Sequence, residues 1–512
     1  MAGVLTGLLL KFRVDKTLPK ETQSLEYANI LHHLNYRWRL ESLALWQGEK
    51  PPFETYRIYE GFENFLSLDT LRRIDGLNEN GVKTRLRHAL IDHYKQRLLL
   101  PHDVERQAWM RGAAANVDGQ KIYLRDIITW CQRSSTLEQR QVLLKETRAL
   151  CRFLKPFAFN HWNVLLESLR GDLGFSSYIA YCQEKKGIDY DRYAVLVRDL
   201  LDQVRASYLA LMDAWCRERF GRPLGDLNRY DAIHLLCLSQ FDHLYNGHRL
   251  EDLAGFFKTW QIDLFQTPGL YLELGQEAGK SAQAICFLLQ VPEEVYVLMK
   301  PEGGWIDLET LWHELGHGLS AVFTSPDLDI ADRDLATGFS LSESFAFLLQ
   351  NLTLSPVFLE TALGLDPAAA EELHHYKTLR DLALFMRYGA KFLAEHEMFA
   401  SGDLKNGEPY ARLLTHYTGF LHQPDQHLFD LSPEFYSLDY VLGWAAGAMM
   451  ERHLEGRLGP RWIFHPDTGT ALKGWWEQGY RLDLSAFLEH NGLGPLTPNA
   501  LLERWQSVLQ IP

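Results

Sequence analysis

The stretch of sequence that decides the fold is "LWHELGHGLSAVF", residues 311–323. Its apolar residues recur at the spacing of one helix face, which predicts an α-helix packed against the protein core. Two histidines and a glutamate, His313, Glu314 and His317, fall on the other side of this helix. Polar groups are costly to bury unless they are paired. The imidazoles and the carboxylate therefore need a common partner.

A bound metal ion is the partner that this spacing favours. Histidines four residues apart on a helix can bind one tetrahedral Zn²⁺, and the glutamate between them lies beside the open coordination position. The motif therefore predicts one Zn²⁺ per chain with His313 and His317 as ligands. Glu314 is predicted to be the catalytic base that activates a zinc-bound water.

A catalytic zinc site needs a third protein ligand. The next predicted helix, "SLSESFAFLLQNL" (340–352), offers Glu343, 26 positions after His317. Ser340 and Glu343 also have the spacing of a capping box, in which the glutamate binds only the backbone at the helix start. The place of this helix, one loop after the histidine helix, favours Glu343 as the third metal ligand.

Helical periodicity dominates the rest of the chain. Residues 193–221, for example, are predicted to form one long amphipathic helix that ends at Gly221. Residues 281–304 differ, because two short apolar runs separated by "VPEE" are typical of a β-hairpin. We therefore predict a mainly α fold with one small β-sheet beside the zinc-binding helix. We expect residues 1–270 to form helical groove walls and residues 271–512 to form the catalytic region.

Composition narrows the function further. The 512-residue chain has a net charge of −14 and no basic cluster on one face, which disfavours a nucleic-acid partner. Its six cysteines are scattered, as in reduced intracellular proteins. The N-terminal residues 1–16 lack the pattern of a signal peptide, and no apolar run is long enough to span a membrane. We expect a cytoplasmic protein without a membrane partner, and the oligomeric state stays open.

Two segments around these motifs resemble a known family. The sequences "DLETLWHELGHGLS" (307–320) and "ESFAFLLQNL" (343–352) are similar to the thimet oligopeptidase and oligoendopeptidase F family of zinc metallopeptidases. Gln350 stands where family members have a glutamate. The predicted hairpin resembles the strands that edge the family's substrate groove. The resemblance implies a helical clamshell with a deep groove, zinc at the groove floor and short peptides as substrates.

A third segment, "FYSLDYVLGWAAGAMM" (435–450), resembles the oligoendopeptidase F stretch F-Y-x-Y-x-Y-x-x-G-x-x-A. Hydrolysis of a peptide bond needs hydrogen-bond donors where negative charge develops. The candidates for this role are Tyr436, Tyr440 and the upstream His427. The alternative is that Tyr436 and Tyr440, four residues apart on an apolar helix, belong only to the core.

The sequence thus predicts a zinc endopeptidase that hydrolyses internal bonds of short unfolded peptides. One alternative is a zinc carboxypeptidase on a similar helical fold. Such an enzyme would need a cationic residue for the terminal carboxylate of the substrate, and no sequence motif indicates one. Another alternative is a non-catalytic protein that binds zinc or peptides. Structural zinc sites, however, usually have four ligands that include thiolates, and none of the three predicted ligands is a cysteine.

Overall fold

The computed structural model describes residues 20–509, except 51, 54, 79, 246–247, 278–279 and 282–283. The N-terminal stretch 1–16, for which no signal peptide is predicted, lies outside the described residues. Among the helices of the described ranges, none combines the length and the apolar character needed to cross a membrane.

Helices make up most of the described chain, so the prediction of a mainly α fold is confirmed. The helices of the first half are α1 (Lys20–Gln47), α2 (Leu68–Asp75), α3 (Asn80–Gly112), α4 (Ile127–Arg133), α5 (Leu137–Gly171), α6 (Tyr178–Lys186), α7 (Tyr190–Phe220), α8 (Arg229–Leu236) and α9 (Leu250–Ala254).

The second half is also helical and contains the predicted metal motif in its first helix. Its helices are α10 (Trp305–Val322), α11 (Ile330–Asp334), α12 (Ser340–Leu352), α13 (Pro356–Ala362), α14 (Pro367–Ser401), α15 (Glu408–Thr418), α16 (His427–Asp430), α17 (Tyr436–Leu458), α18 (Pro466–Trp476), α19 (Leu484–His490) and α20 (Asn499–Leu509).

The long helix predicted over residues 193–221 is α7, and its ends follow from its capping residues. The Asp189 side chain accepts a hydrogen bond from the Arg192 backbone N–H at the start. Gly221 ends the helix in the left-handed conformation, with φ 65°. Glycine adopts this conformation without the steric penalty of a side chain. The predicted end at Gly221 is confirmed.

A two-stranded sheet in the first half was not predicted from the sequence. Strand β1 (Ala114–Val117) pairs antiparallel with β2 (Gln120–Tyr123). Asp118 and Gly119, both with positive φ, form the two-residue turn between them. An Asp-Gly pair is a strong hairpin signal. The prediction of one small sheet was therefore incomplete, and this dipeptide was the signal that could have corrected it.

The predicted hairpin before the motif helix is confirmed and belongs to a three-stranded sheet. Strands β4 (Ile285–Gln290) and β5 (Glu294–Leu298) pair antiparallel, and β3 (Leu270–Glu273) runs parallel to β5 on its other side. The sheet packs against α10, so it lies beside the motif helix as predicted. The expected division at residues 270 and 271 stays a prediction.

Candidate active site

Helix α10 begins at Trp305, directly after Gly303 and Gly304 of the preceding loop. Asp307 is the third residue of the helix, so it is not the N-cap, and no side chain caps the helix start. The Asp307 carboxylate instead accepts hydrogen bonds from the backbone N–H groups of Glu302 (3.2 Å) and Gly303 (2.7 Å). Asp307 therefore fixes the loop that leads into the helix, and its negative charge still lies in the favourable first turn.

Helix α12 is buried between α10 and α17, and two glycines let the three backbones come close. A Cβ atom on Gly316 of α10 would collide with the backbone of Phe345 and Ala346 in α12. A Cβ atom on Gly443 of α17 would lie 2.6 Å from the Cβ atom of Glu343. Such close contact needs residues without side chains. Gly316 and Gly443 thus serve helix packing, and this packing holds Glu343 against α10.

The three predicted metal ligands meet at one point. The Glu343 carboxylate oxygens lie 3.5 Å from His313 Nε2 and 3.6 Å from His317 Nε2. Ligand-type atoms of all three residues lie within 4.8 Å of one another. Metal–ligand bonds of about 2.0–2.1 Å in tetrahedral geometry separate the ligand atoms by about 3.4 Å. The observed separations therefore suit one zinc ion between these side chains.

The state of Glu343 also fits a bound cation. Its carboxylate is 1% exposed, and its Oε2 atom has no hydrogen-bond donor among the described residues. Burial raises the pKa of Glu343 to about 8. A buried carboxylate with one oxygen that lacks a donor is unfavourable unless a charge compensates it. A divalent cation between Glu343 and two neutral imidazoles would supply that charge.

The capping-box interpretation of Glu343 is wrong. The residue before α12 is Phe339, and no side chain caps the helix. The Ser340 hydroxyl donates to Asp439 Oδ1 at 2.6 Å and not to the backbone of its own helix. Glu343 points to the two histidines. Its side chain is therefore free for the role of third metal ligand.

Hydrogen bonds orient both imidazoles towards Glu343. His313 Nδ1 lies 2.8 Å from the amide oxygen of Gln350, and His317 Nδ1 lies 2.8 Å from the hydroxyl of Ser342. An amide oxygen can only accept, so the His313 Nδ1 carries the proton and Nε2 keeps its lone pair. Burial lowers the pKa of His313 to about 4 and that of His317 well below its usual value. Both rings are thus neutral, as metal ligands must be.

Gln350 belongs to a chain of polar contacts behind His313. Its amide nitrogen lies 3.4 Å from the Glu309 carboxylate, one helical turn before His313, and this contact fixes which end of the amide faces the ring. Glu309 is buried and pairs with Lys377 (3.2 Å) and Arg380. Gln350 therefore holds the His313 ring, with its amide oxygen as the acceptor. Sequence reasoning missed Glu309, although its position four residues before His313 placed it on the same helix face.

Glu314 lies on the sheet side of the site. Its carboxylate accepts a hydrogen bond from the backbone N–H of Cys286 in β4. Burial raises the pKa of Glu314 to about 7. The group lies next to His313 in the chain but is absent from the cluster of candidate ligand atoms. This arrangement suits a group that exchanges a proton with a water molecule near neutral pH.

Two of the three candidate oxyanion donors lie at the site. The Tyr436 hydroxyl donates to Glu343 Oε1, and burial raises the pKa of this hydroxyl well above its usual value. The Tyr440 ring lies 6.4 Å from the His313 ring and 4.7 Å from the Tyr388 ring, between ring centroids. Both tyrosines stay protonated and can donate hydrogen bonds. The hydrogen bond from Tyr436 to Glu343 goes beyond packing in the core, and the Tyr440 ring packs against His313 at the site.

His427 is engaged elsewhere. Its Nδ1 lies 2.6 Å from the carbonyl oxygen of Pro424, and its Nε2 lies 2.9 Å from that of Leu404. The side chain is fully buried. With both ring nitrogens occupied by backbone carbonyls, the structure gives His427 a role in holding its own loop. No described contact joins it to His313, His317 or Glu343. We therefore do not retain His427 as a candidate hydrogen-bond donor to the oxyanion.

Comparison with known proteins identifies a similar fold. No family model matches the sequence, and no curated protein is significantly similar to it. Among solved structures, Trypanosoma cruzi metallocarboxypeptidase 1 matches with a TM-score of 0.57 and 14% sequence identity. The match covers 96% of this chain and 100% of that chain. This chain is similar in fold to a metallocarboxypeptidase.

That likeness concerns the fold, because 14% identity is too low to transfer an activity. It agrees with the mainly α architecture. The resemblance to the thimet oligopeptidase and oligoendopeptidase F family stays a prediction.

Proposed function

We propose that this protein is a zinc-dependent endopeptidase that hydrolyses internal bonds of short unfolded peptides. The observation that carries the proposal is the meeting of His313, His317 and Glu343 around one point, with Glu314 beside them. Three protein ligands and an adjacent carboxylate are the donor set of a catalytic zinc site with one open position. The sequence resemblance around residues 307–320 and 343–352 supports peptides as substrates.

In this proposal, each side chain has a separate task. Bound zinc would polarise the scissile carbonyl and lower the pKa of a water molecule towards about 7. Glu314 takes a proton from that water and passes it to the leaving amine, so one carboxylate serves both proton transfers. Burial keeps His313 and His317 neutral, and Gln350 and Ser342 orient their rings. This preorganisation avoids a rearrangement of the ligands during the reaction.

Of the two tyrosines at the site, Tyr440 is the proposed donor to the developing oxyanion, because Tyr436 donates its one hydroxyl proton to Glu343. Tyr436 and Tyr440 lie one turn apart at the start of α17, with ring centroids 5.1 Å apart. Hydrogen-bond donors fixed in a water-poor site stabilise such charge more strongly than water does. Tyr436 holds Glu343 through its hydroxyl. Tyr440 has no hydrogen-bond partner among the described residues, so its hydroxyl is available to a substrate carbonyl.

One feature favours a second candidate function, a carboxypeptidase. A cavity of about 550 Å³ is lined by Tyr388, whose ring contacts Tyr440, and by four cationic side chains. These cations are Arg229, Arg380, Arg387 and Lys391. A carboxypeptidase needs such a cation to bind the terminal carboxylate of its substrate. No sequence motif had indicated one.

The charges of this cavity are not balanced. Arg387 donates two hydrogen bonds of 2.9 Å to Asp430, and Lys391 lies 3.5 Å from the same carboxylate. Arg229 contacts the Tyr410 hydroxyl (3.2 Å) and the Gln426 amide oxygen (3.3 Å) but no carboxylate among the described residues. The cavity therefore has a surplus of positive charge that suits a carboxylate.

Matched peptides distinguish the two functions. We expect the zinc-loaded protein to cut a peptide of about ten residues at internal bonds, whether its C-terminus is free or amidated, because an endopeptidase needs no terminal carboxylate. Mass spectrometry of the products makes the comparison. Release of single C-terminal residues from the free peptide alone would show the carboxypeptidase instead. In that case Arg229→Gln should raise KM for the free peptide, and the wild-type protein is the control.

A further inference from the structure

The segment directly before Tyr436 has an unfavourable backbone conformation. Glu434 (φ 52°, ψ 36°) and Phe435 (φ 52°, ψ 42°) are consecutive non-glycine residues in the left-handed region. L-residues with a Cβ atom rarely adopt this conformation, and it persists only where the surroundings enforce it. Helix α17 begins at the next residue, so this turn sets the direction in which Tyr436 enters the site.

Side chains of helices α6 and α3 bind both the carboxylate and the backbone of Glu434. The Glu434 carboxylate binds the ammonium groups of Lys95 (2.8 Å) and Lys185 (2.6 Å). Its backbone N–H donates to the Tyr178 hydroxyl at 2.6 Å, and its carbonyl oxygen accepts from Lys186 Nζ at 2.6 Å. Main chain and side chain are thus both fixed.

Phe435, the other strained residue, is fixed by packing. Its side chain is fully buried. Ring centroids of Tyr190 and Phe399 lie 4.6 and 5.4 Å from its own. Each end of the turn is therefore held by a different kind of interaction, polar at Glu434 and apolar at Phe435.

Lys186 links this turn to the helix that carries Glu343. In addition to the Glu434 carbonyl, its ammonium group binds the buried carboxylate of Asp439 in the first turn of α17. Asp439 also accepts the hydrogen bond from Ser340 at the start of α12. One ammonium group thus connects the strained turn, the first turn of α17 and, through Asp439, the helix of the third metal ligand.

Charge balance explains why this arrangement can be buried. Lys95, Lys185 and Lys186 face three carboxylates, those of Glu434, Asp439 and Asp92, which lies 2.7 Å from Lys185. Paired and hydrogen-bonded charges escape most of the penalty of burial, whereas one left alone does not. The removal of one lysine should therefore disturb the turn.

We propose that Lys186 and Glu434 are positioning residues that hold the Tyr436 hydroxyl on Glu343. They act through Tyr436 and touch neither metal nor substrate. The inference rests on the proposed metal site but not on the proposed cleavage reaction, because the contact between Tyr436 and Glu343 orients a metal ligand. Zinc affinity therefore reports on it even in the absence of peptidase activity.

The test is a double-mutant cycle between Lys186→Met and Tyr436→Phe. We expect each variant to weaken zinc binding by about 10- to 100-fold, as partners of metal ligands do. We expect the combined variant to be within about twofold of Tyr436→Phe alone, because a residue that acts through Tyr436 has no further effect once its hydroxyl is gone. Competition with a chelator measures zinc affinity, and kcat on an internally cleaved peptide is measured in parallel.

Arg504→Met is the matched control. Arg504 also binds a carboxylate of α17, Glu451, but 15 residues along the helix from Tyr436. We expect this variant to keep the zinc affinity and kcat of the wild type. If circular dichroism shows that Lys186→Met does not fold, Glu434→Gln takes its place in the cycle. Gln keeps the size of the side chain but loses the charge that binds the lysines.

The outcomes separate the two proposals. Wild-type zinc affinity and kcat in both Lys186→Met and Glu434→Gln would overturn the positioning role. So would losses that add to those of Tyr436→Phe, or equal losses in Arg504→Met, because these are signs of general destabilisation. A wild-type protein that binds zinc but cleaves no peptide would overturn the endopeptidase, and the zinc-affinity cycle would still decide the role of Lys186.

Discussion

Replacing Glu314 with Gln is expected to lower kcat by about 10⁴-fold, the upper end of the range for the loss of a general base. The upper end applies because the same carboxylate is proposed to serve both proton transfers. Gln keeps the size of the side chain and can still accept the N–H of Cys286, but it cannot take a proton. The measurement is kcat for cleavage of one peptide by zinc-loaded protein.

The zinc content of the same preparation should equal that of the wild type, because Glu314 is not among the three candidate ligands. KM should also change little. Glu455→Gln, an exposed position on α17, is the matched control and should keep the wild-type kcat. If Glu314→Gln retains more than about a tenth of the wild-type kcat, far outside the expected range, Glu314 is not the base.

His317→Ala is expected to lose both metal and activity. The loss of partners behind a metal ligand already weakens binding by about 10- to 100-fold, and the loss of the ligand itself should exceed that. The remaining pair, His313 and Glu343, leaves two coordination positions without a protein donor. Elemental analysis after dialysis measures the zinc, and a peptide assay on the same sample measures the activity.

The control for this variant is His375→Ala, which removes an exposed histidine from α14. It should keep zinc and activity. A His317→Ala protein that still holds one zinc ion per chain would show that the metal is bound elsewhere. The comparison with Glu314→Gln is informative. Glu314→Gln should lose catalysis and keep its metal, whereas His317→Ala should lose both.

The sequence predicted the parts of the site that follow from local spacing. His313 and His317 are four residues apart on a helix, and this alone brings their rings together. The hairpin over 281–304 followed from two apolar runs separated by a turn. The role of Glu343 was harder to predict, because a helix cap and a metal ligand would both place a glutamate at this position. The structure decides against capping because Ser340 binds Asp439.

The rest of the site depends on contacts between distant segments. Tyr436, which contacts Glu343, follows Glu434 and Phe435, two residues with a left-handed backbone conformation that is rare for residues other than glycine. The lysines that stabilise this turn lie far earlier in the chain, Lys186 by 248 residues and Lys95 by 339. His427 was chosen from its nearness in sequence to the tyrosine segment, but backbone carbonyls satisfy both of its ring nitrogens. Spacing along the chain could not show any of these contacts.

The most direct test of the central claim is a zinc titration of metal-free protein with peptide cleavage as the readout. The account predicts no cleavage by the metal-free chain, a linear rise in activity as zinc is added and a plateau at one equivalent per chain, because three side chains form one site. Full cleavage by protein from which a chelator has removed all metal would contradict the account, as would a zinc-loaded chain that cleaves no peptide.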